Sequence, residues 1–187
     1  MDDLKIIRSG RKTRSLEISR DGKLTIRAPM KASDADILAF VKKHQKWISK
    51  KLQEARQREE HRKQHNIEPL SRSELTELGK AAVSFIPMRV AHYAALMGID
   101  FGNITIRNQS TRWGSCSSKK NLNFNVLLML APREVLDSVI VHELCHIRHM
   151  NHSKAFYEEV RKYFPDYDRC DKWLKEHGDE LMSRMPV

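Results

Sequence analysis

His142-Glu143-Leu144-Cys145-His146-Ile147-Arg148-His149-Met150-Asn151-His152-Ser153 is the stretch on which this chain turns. From Pro132 onward the chain carries Val135, Leu136, Val139 and Ile140 at helical spacing, so a helix opened by the proline runs into the first histidine. On that helix His142 and His146 stand a turn apart on one face, where both imidazoles can reach one small cation. A catalytic zinc site uses three protein ligands and leaves a position for water. At about 1.5 Å per residue, His149 would lie roughly 10 Å along the axis from His142. That is too far to share one ion on a straight helix. His152 reaches the ion if the chain turns back first, and Asn151 tolerates the left-handed conformation such a turn uses. The expected metal ligands are His142, His146 and His152.

Glu143 projects beside the metal face, placed to take a proton from an activated water and pass it to a leaving amine. The expected function is a zinc-dependent hydrolase, a metallopeptidase with Glu143 as general base and Zn2+ as cofactor, acting on a protein or peptide. A non-peptidase zinc amidase would use the same chemistry. Cys116 is a further candidate as an inhibitory thiolate on the metal, against the plainer reading of a thiol in a turn. Tyr157 and Arg112 are candidates for stabilising the oxyanion.

Working outward, Ser153 is placed to cap a helix with Phe156, Val160 and Phe164 on its apolar face, and Tyr167, Trp173 and Leu174 mark a last helix. Upstream, Ile104-Thr105-Ile106 and Leu122 to Val126 read as a hairpin flanking a polar turn that holds Arg112-Trp113-Gly114-Ser115-Cys116. The Leu122 strand is a candidate edge for an extended substrate; alternatively Asn123 and Asn125 simply face solvent. A long helix begins near Ser73, is kinked or split at Pro87, and ends at Gly98.

The amino-terminal third has a different character. Residues 15–20 and 23–27 alternate around Asp21-Gly22, a two-residue hairpin signal, and Ser33 caps a helix with apolar positions from Ile37 to Leu52. The segment from Gln53 to Asn66 is almost wholly polar, as an exposed helical extension or a linker. Of the net charge of +10, residues 1–65 hold 18 Lys/Arg against 9 Asp/Glu. Such a segment can approach nucleic acid or another polyanion, which gives the alternative of a nucleic-acid-binding module with an auxiliary zinc site, or it can be a solvated helix face. The expected division is a basic hairpin-plus-helix region over 1–65 and a metallopeptidase core over 66–187.

With 40% hydrophobic and 31% charged residues the chain is globular rather than disordered. Nothing in Met1 to Lys5 looks like a secretory signal, and the longest apolar run, Val126 to Ala131, is too short for a bilayer. A cytoplasmic protein is expected. Three cysteines without a Cys-x-x-Cys pair argue against a disulfide framework or a zinc ribbon.

Arg27-Ala28-Pro29, Trp47-Ile48, Arg112 to Cys116 and His142 to Phe156 together resemble the YgjP-type metal-dependent hydrolases, which are similar to SprT-like proteases and other compact gluzincin-like metallopeptidases. The resemblance covers nearly the whole chain. It implies zinc on His142, His146 and His152, with Glu143 catalytic, in an α+β zincin-like fold with a small antiparallel sheet beside the active-site helix. This chain lacks the terminal four-cysteine ribbon of the SprT-like group, which weakens transfer of a DNA-protein-crosslink role. It also has His149 where metzincins carry glycine.

Overall fold

The structure, a computed structural model, describes residues 4–19, 22–109 and 111–186; the first three residues and Asp21 of the expected turn lie outside them. The described residues form two compact units, one up to Ile67 and one from Glu68 to Pro186.

In the first unit β2 (Ser15–Ile18) and β3 (Leu24–Pro29) pair antiparallel, with Leu16 opposite Ile26. A strand the sequence reading passed over, β1 (Leu4–Ser9), joins β3 in parallel, so the order is β1-β3-β2. Ser33 caps α1 (Asp34–Lys43) in a capping box with Asp36. The helix sets Ile37 against Ile26 and Ala28 as the small core of this unit. The single helix expected through Leu52 is interrupted at His44, whose backbone leaves the helical region (φ −105°, ψ 13°) while its Nδ1–H donates to the Phe40 carbonyl at 2.8 Å. Beyond it α2 (Gln45–Gln64) carries the polar segment as helix, with ion pairs Lys51–Glu54 and Arg62–Glu59 one turn apart.

In the second unit α3 (Arg72–Met97) starts at a Ser71 capping box with Glu74 and continues through Pro87 without dividing. It stops at Gly98, whose left-handed backbone (φ 61°) carries no Cβ penalty. A sheet of β4 (Ile104–Arg107), β5 (Gly114–Cys116) and β6 (Leu122–Asn125) follows in the order β4-β6-β5. The expected hairpin of the outer two strands is corrected. β6 runs parallel to β4, Ile104 beside Leu122, and antiparallel to β5, Gly114 opposite Phe124, so the sheet is mixed. The connection contains a strand of its own, so the chain reverses twice and re-enters beside β4 in the same direction. Side-chain alternation has period two in either pairing and cannot report this. The edge expectation falls with it: β6 is the central strand, and the free edges belong to β4 and β5.

α4 (Arg133–Cys145) is the middle of the unit, packed by α3, by β5, and by α5 (Lys154–Tyr163) and α6 (Tyr167–Ser183). Being covered on several sides, it buries Val141 as well as Cys145 and the apolar face of Val135, Leu136, Val139 and Ile140. Ile86 and Val90 of α3, Leu122 and Phe124 of β6, Leu144 of α4 and Phe156 and Val160 of α5 complete a fully buried core. Arg89 of α3 grips both carboxylate oxygens of buried Asp137 on α4 at 2.8 and 2.7 Å, locking the two helices in register. The fold is α+β, helices surrounding α4 beside a small sheet. Among the described residues no helix is long and apolar enough to cross a membrane.

Candidate metal centre

α4 delivers His142 and Glu143 in its last turn and closes on His146 at its C-cap. One more turn follows, with the His149 amide donating to Cys145 O at 2.9 Å, before the chain reverses. The reversal does not use a left-handed Asn151: among the described residues the non-glycine positions with positive φ are Asn66 and Lys120. Tertiary hydrogen bonds hold it instead. Arg148 Nη2 donates to the Met97 carbonyl at 2.7 Å, where α3 ends, while Nη1 binds Glu159 of α5. His149 Nε2 meets the other Glu159 oxygen at 2.7 Å. Ser153 then caps α5, and His152 stands just ahead of that cap.

This path brings three rings together. Ligand nitrogens of His142, His146 and His152 all lie within 4.8 Å of one another, and Nε2 of His142 is 3.1 Å from Nε2 of His152. Nitrogens bound to one tetrahedral zinc at about 2.1 Å would stand roughly 3.4 Å apart, so the donor set fits a single ion with small adjustment. In the tautomers that leave Nε2 facing inward, Nδ1–H of His142 donates to Tyr167 Oη (2.9 Å) and Nδ1–H of His146 to the His149 carbonyl (3.0 Å). Such outer partners orient metal-binding imidazoles. Phe156, fully buried, contacts all three rings at centroid distances of 4.9, 4.6 and 5.0 Å.

Burial, then the neighbouring imidazoles His146 and His152, depress the His142 pKa to about 4, so this ring stays neutral and keeps its lone pair. Burial likewise lowers His146. Glu143 is 5% exposed, and among the described residues its Oε2 has no hydrogen-bond partner. Burial pushes its carboxyl up to about 8, partly opposed by the Arg112 charge. A carboxyl raised in this way holds a proton more tightly than an exposed one, so in its ionised form it is the stronger base.

The start of β5 lies close against Glu143. A Cβ on Gly114 would lie 2.6 Å from Glu143 Oε1 and 2.7 Å from its Cγ. Asn125, neither solvent-facing nor an edge residue, is fully buried and ties the loop before β5 down: its Nδ2 donates to the Arg112 and Gln109 carbonyls (3.0 and 2.9 Å) and its amide to Trp113 O (2.8 Å). Asn123 bridges Ser115 Oγ (3.2 Å) and Arg107 Nε (3.0 Å).

His149 faces Glu159 rather than the cluster. Cys116 lies in strand β5, not a turn, and outside the nitrogen cluster, its thiol raised by burial to about 11. Tyr157 stacks beside His152 at 6.1 Å between centroids, and Arg112 is exposed. Tyr167, read from sequence as packing, supports His142. Arg148, Glu159 and Gly114 carried no sequence signal for their roles, since each acts on a distant segment.

Several chains of known structure are similar. One is the metallopeptidase zymogen of Methanocaldococcus jannaschii jannalysin, at 28% identity and a TM-score of 0.44, covering 49% of this chain and 94% of that one. Another is the metallopeptidase zymogen of Pyrococcus abyssi abylysin, at 20% identity and a TM-score of 0.46, covering 55% and 100%. No curated protein matches the sequence. The family model described as YgjP-like, metallopeptidase domain, matches residues 12–81 and 72–177. With the match spanning most of its length, this chain belongs to the YgjP-like metallopeptidase family.

Proposed function

We propose that His142, His146 and His152 hold a zinc ion and that Glu143 is the general base of a peptide-bond hydrolase. The observation carrying this reading is the convergence of three imidazole donors within 4.8 Å beside a buried carboxylate with an unpartnered oxygen. When bound, zinc supplies a Lewis acid that lowers the pKa of water towards neutrality and polarises a carbonyl. Glu143 takes the proton of the attacking water as its oxygen bonds to the scissile carbon. The same carboxyl returns that proton to the amine nitrogen as the C–N bond breaks. Tyr167 and the His149 carbonyl keep Nε2 of His142 and His146 directed inward throughout.

Zinc content measured beside hydrolysis of an unfolded protein tests this in wild type, Glu143→Ala and His152→Ala. About one zinc per chain, kept in Glu143→Ala with cleavage lost and reduced in His152→Ala, is the expected result. Cleavage that survives Glu143→Ala overturns it.

A second partner is favoured by the exposed Lys42, Lys43, Lys46 and Lys50, which stand near Trp47 in sequence; Trp47 is itself 41% exposed. Cations beside an open aromatic ring suit a nucleic acid. DNA binding that weakens steeply with salt and disappears when these lysines are neutralised supports that partner; salt-independent binding or none rejects it.

A further inference from the structure

We infer that the missing side chain at Gly114 sets the position of the Glu143 carboxylate, making Gly114 a positioning residue for hydrolysis. The inference rests on the general-base reading of Glu143. Glycine is not required at this position by backbone conformation, since the glycines with positive φ among the described residues are Gly22 and Gly98. What it supplies is space. A Cβ there would stand 2.6 Å from Oε1, 2.7 Å from Cγ and 2.8 Å from Cδ of Glu143, closer than real Cβ atoms approach any neighbour.

Something would have to move, and the surroundings decide what. The strand side is held on both flanks. Trp113 lies flat against Gly178 of α6, where a Cβ would be 3.3 Å from its Cζ2. Its carbonyl and that of Arg112 are both bound by Asn125, which is fully buried. Gly114 itself is in register with Phe124 of the core. Opposite it, the Glu143 backbone is fixed within α4. The Glu143 side chain, whose Oε2 has no hydrogen-bond partner among the described residues, is the group least firmly held. An added methyl therefore displaces the carboxylate while leaving the three imidazoles, which contact Phe156 on α5, in place.

The test compares wild type, Gly114→Ala, Glu143→Ala and the double variant by thermal melting of the metal-free proteins, by zinc affinity, and by kcat and KM on an unfolded protein. The expected result is that Gly114→Ala melts below wild type, whereas the double variant melts with Glu143→Ala, because truncation of Glu143 removes the clash. Zinc affinity stays at the wild-type value in Gly114→Ala, and kcat falls by about 100-fold with KM little changed. Should Gly114→Ala fail to fold, folding of the double variant alone supports the inference. Equal loss of melting temperature in both backgrounds, or wild-type melting and kcat in Gly114→Ala, overturns it. Cleavage by Glu143→Ala would defeat the general-base reading separately, since the melting comparison is read without metal or substrate.

Discussion

Nδ1 of His146 and the backbone carbonyl of His149 lie 3.0 Å apart, so the turn that leads to the third histidine also orients the second. The ring of His149 is spent elsewhere, on Glu159. Geometry at the centre therefore depends on how firmly this short turn is held.

Arg148 is its main anchor, through the carbonyls of Met97 and Gly98 and through Glu159. Arg148→Ala is expected to weaken zinc binding by about 10- to 100-fold, the usual cost of losing outer support. Competition against a chelator measures it. An unchanged affinity would mean the turn holds itself.

Tyr167→Phe removes the oxygen that accepts from His142 Nδ1 and leaves the ring packing intact. Zinc affinity should fall roughly tenfold, at the lower end of outer-partner effects, with helical content by circular dichroism unchanged. Affinity at the wild-type value would show that packing alone orients His142.

Asp137→Ala leaves Arg89 charged and unpaired between α3 and α4, in a pair whose side chains are 15% and 8% exposed. Unfolding in urea should show a loss of about 3–5 kcal/mol, with the midpoint rather than the slope changed. A loss below about 1 kcal/mol would mean water reaches the guanidinium freely.

The Glu159 carboxyl carries a pH signature. Burial raises its pKa, but hydrogen bonds from Arg148 and His149 outweigh that and hold it below the ordinary 4.5. A folded value below the unfolded one means the contribution is complete above the ordinary value and is lost as pH falls through the folded value. Urea midpoints of wild type should drop as the pH falls below the ordinary carboxylate value, and less so in Glu159→Gln. Parallel acid limbs in the two proteins would refute it.

Sequence alone determined much that is local. Ser33, Ser153 and Gly98 act within a turn of where they stand, so helix ends were readable from single residues. The spacing of His142 and His146 is a property of any α-helix, and the adjacency of Glu143 is covalent. The break at His44 was not readable, because the apolar spacing continues across it from Val41 to Ile48.

What only tertiary structure decided are relations between distant segments. The parallel pairings of β1 with β3 and of β4 with β6 depend on the route of the connections, to which a period-two pattern is blind. The path that carries His152 beside His142 rests on Arg148 reaching α3 and α5, not on the conformation of Asn151. Tyr167 meets His142 across 25 residues, and Gly114 meets Glu143 because β5 packs on α4. Periodicity and capping record what a residue does to its own turn; pairing direction, ring orientation and the room left for a carboxylate arise only when separate elements share one volume.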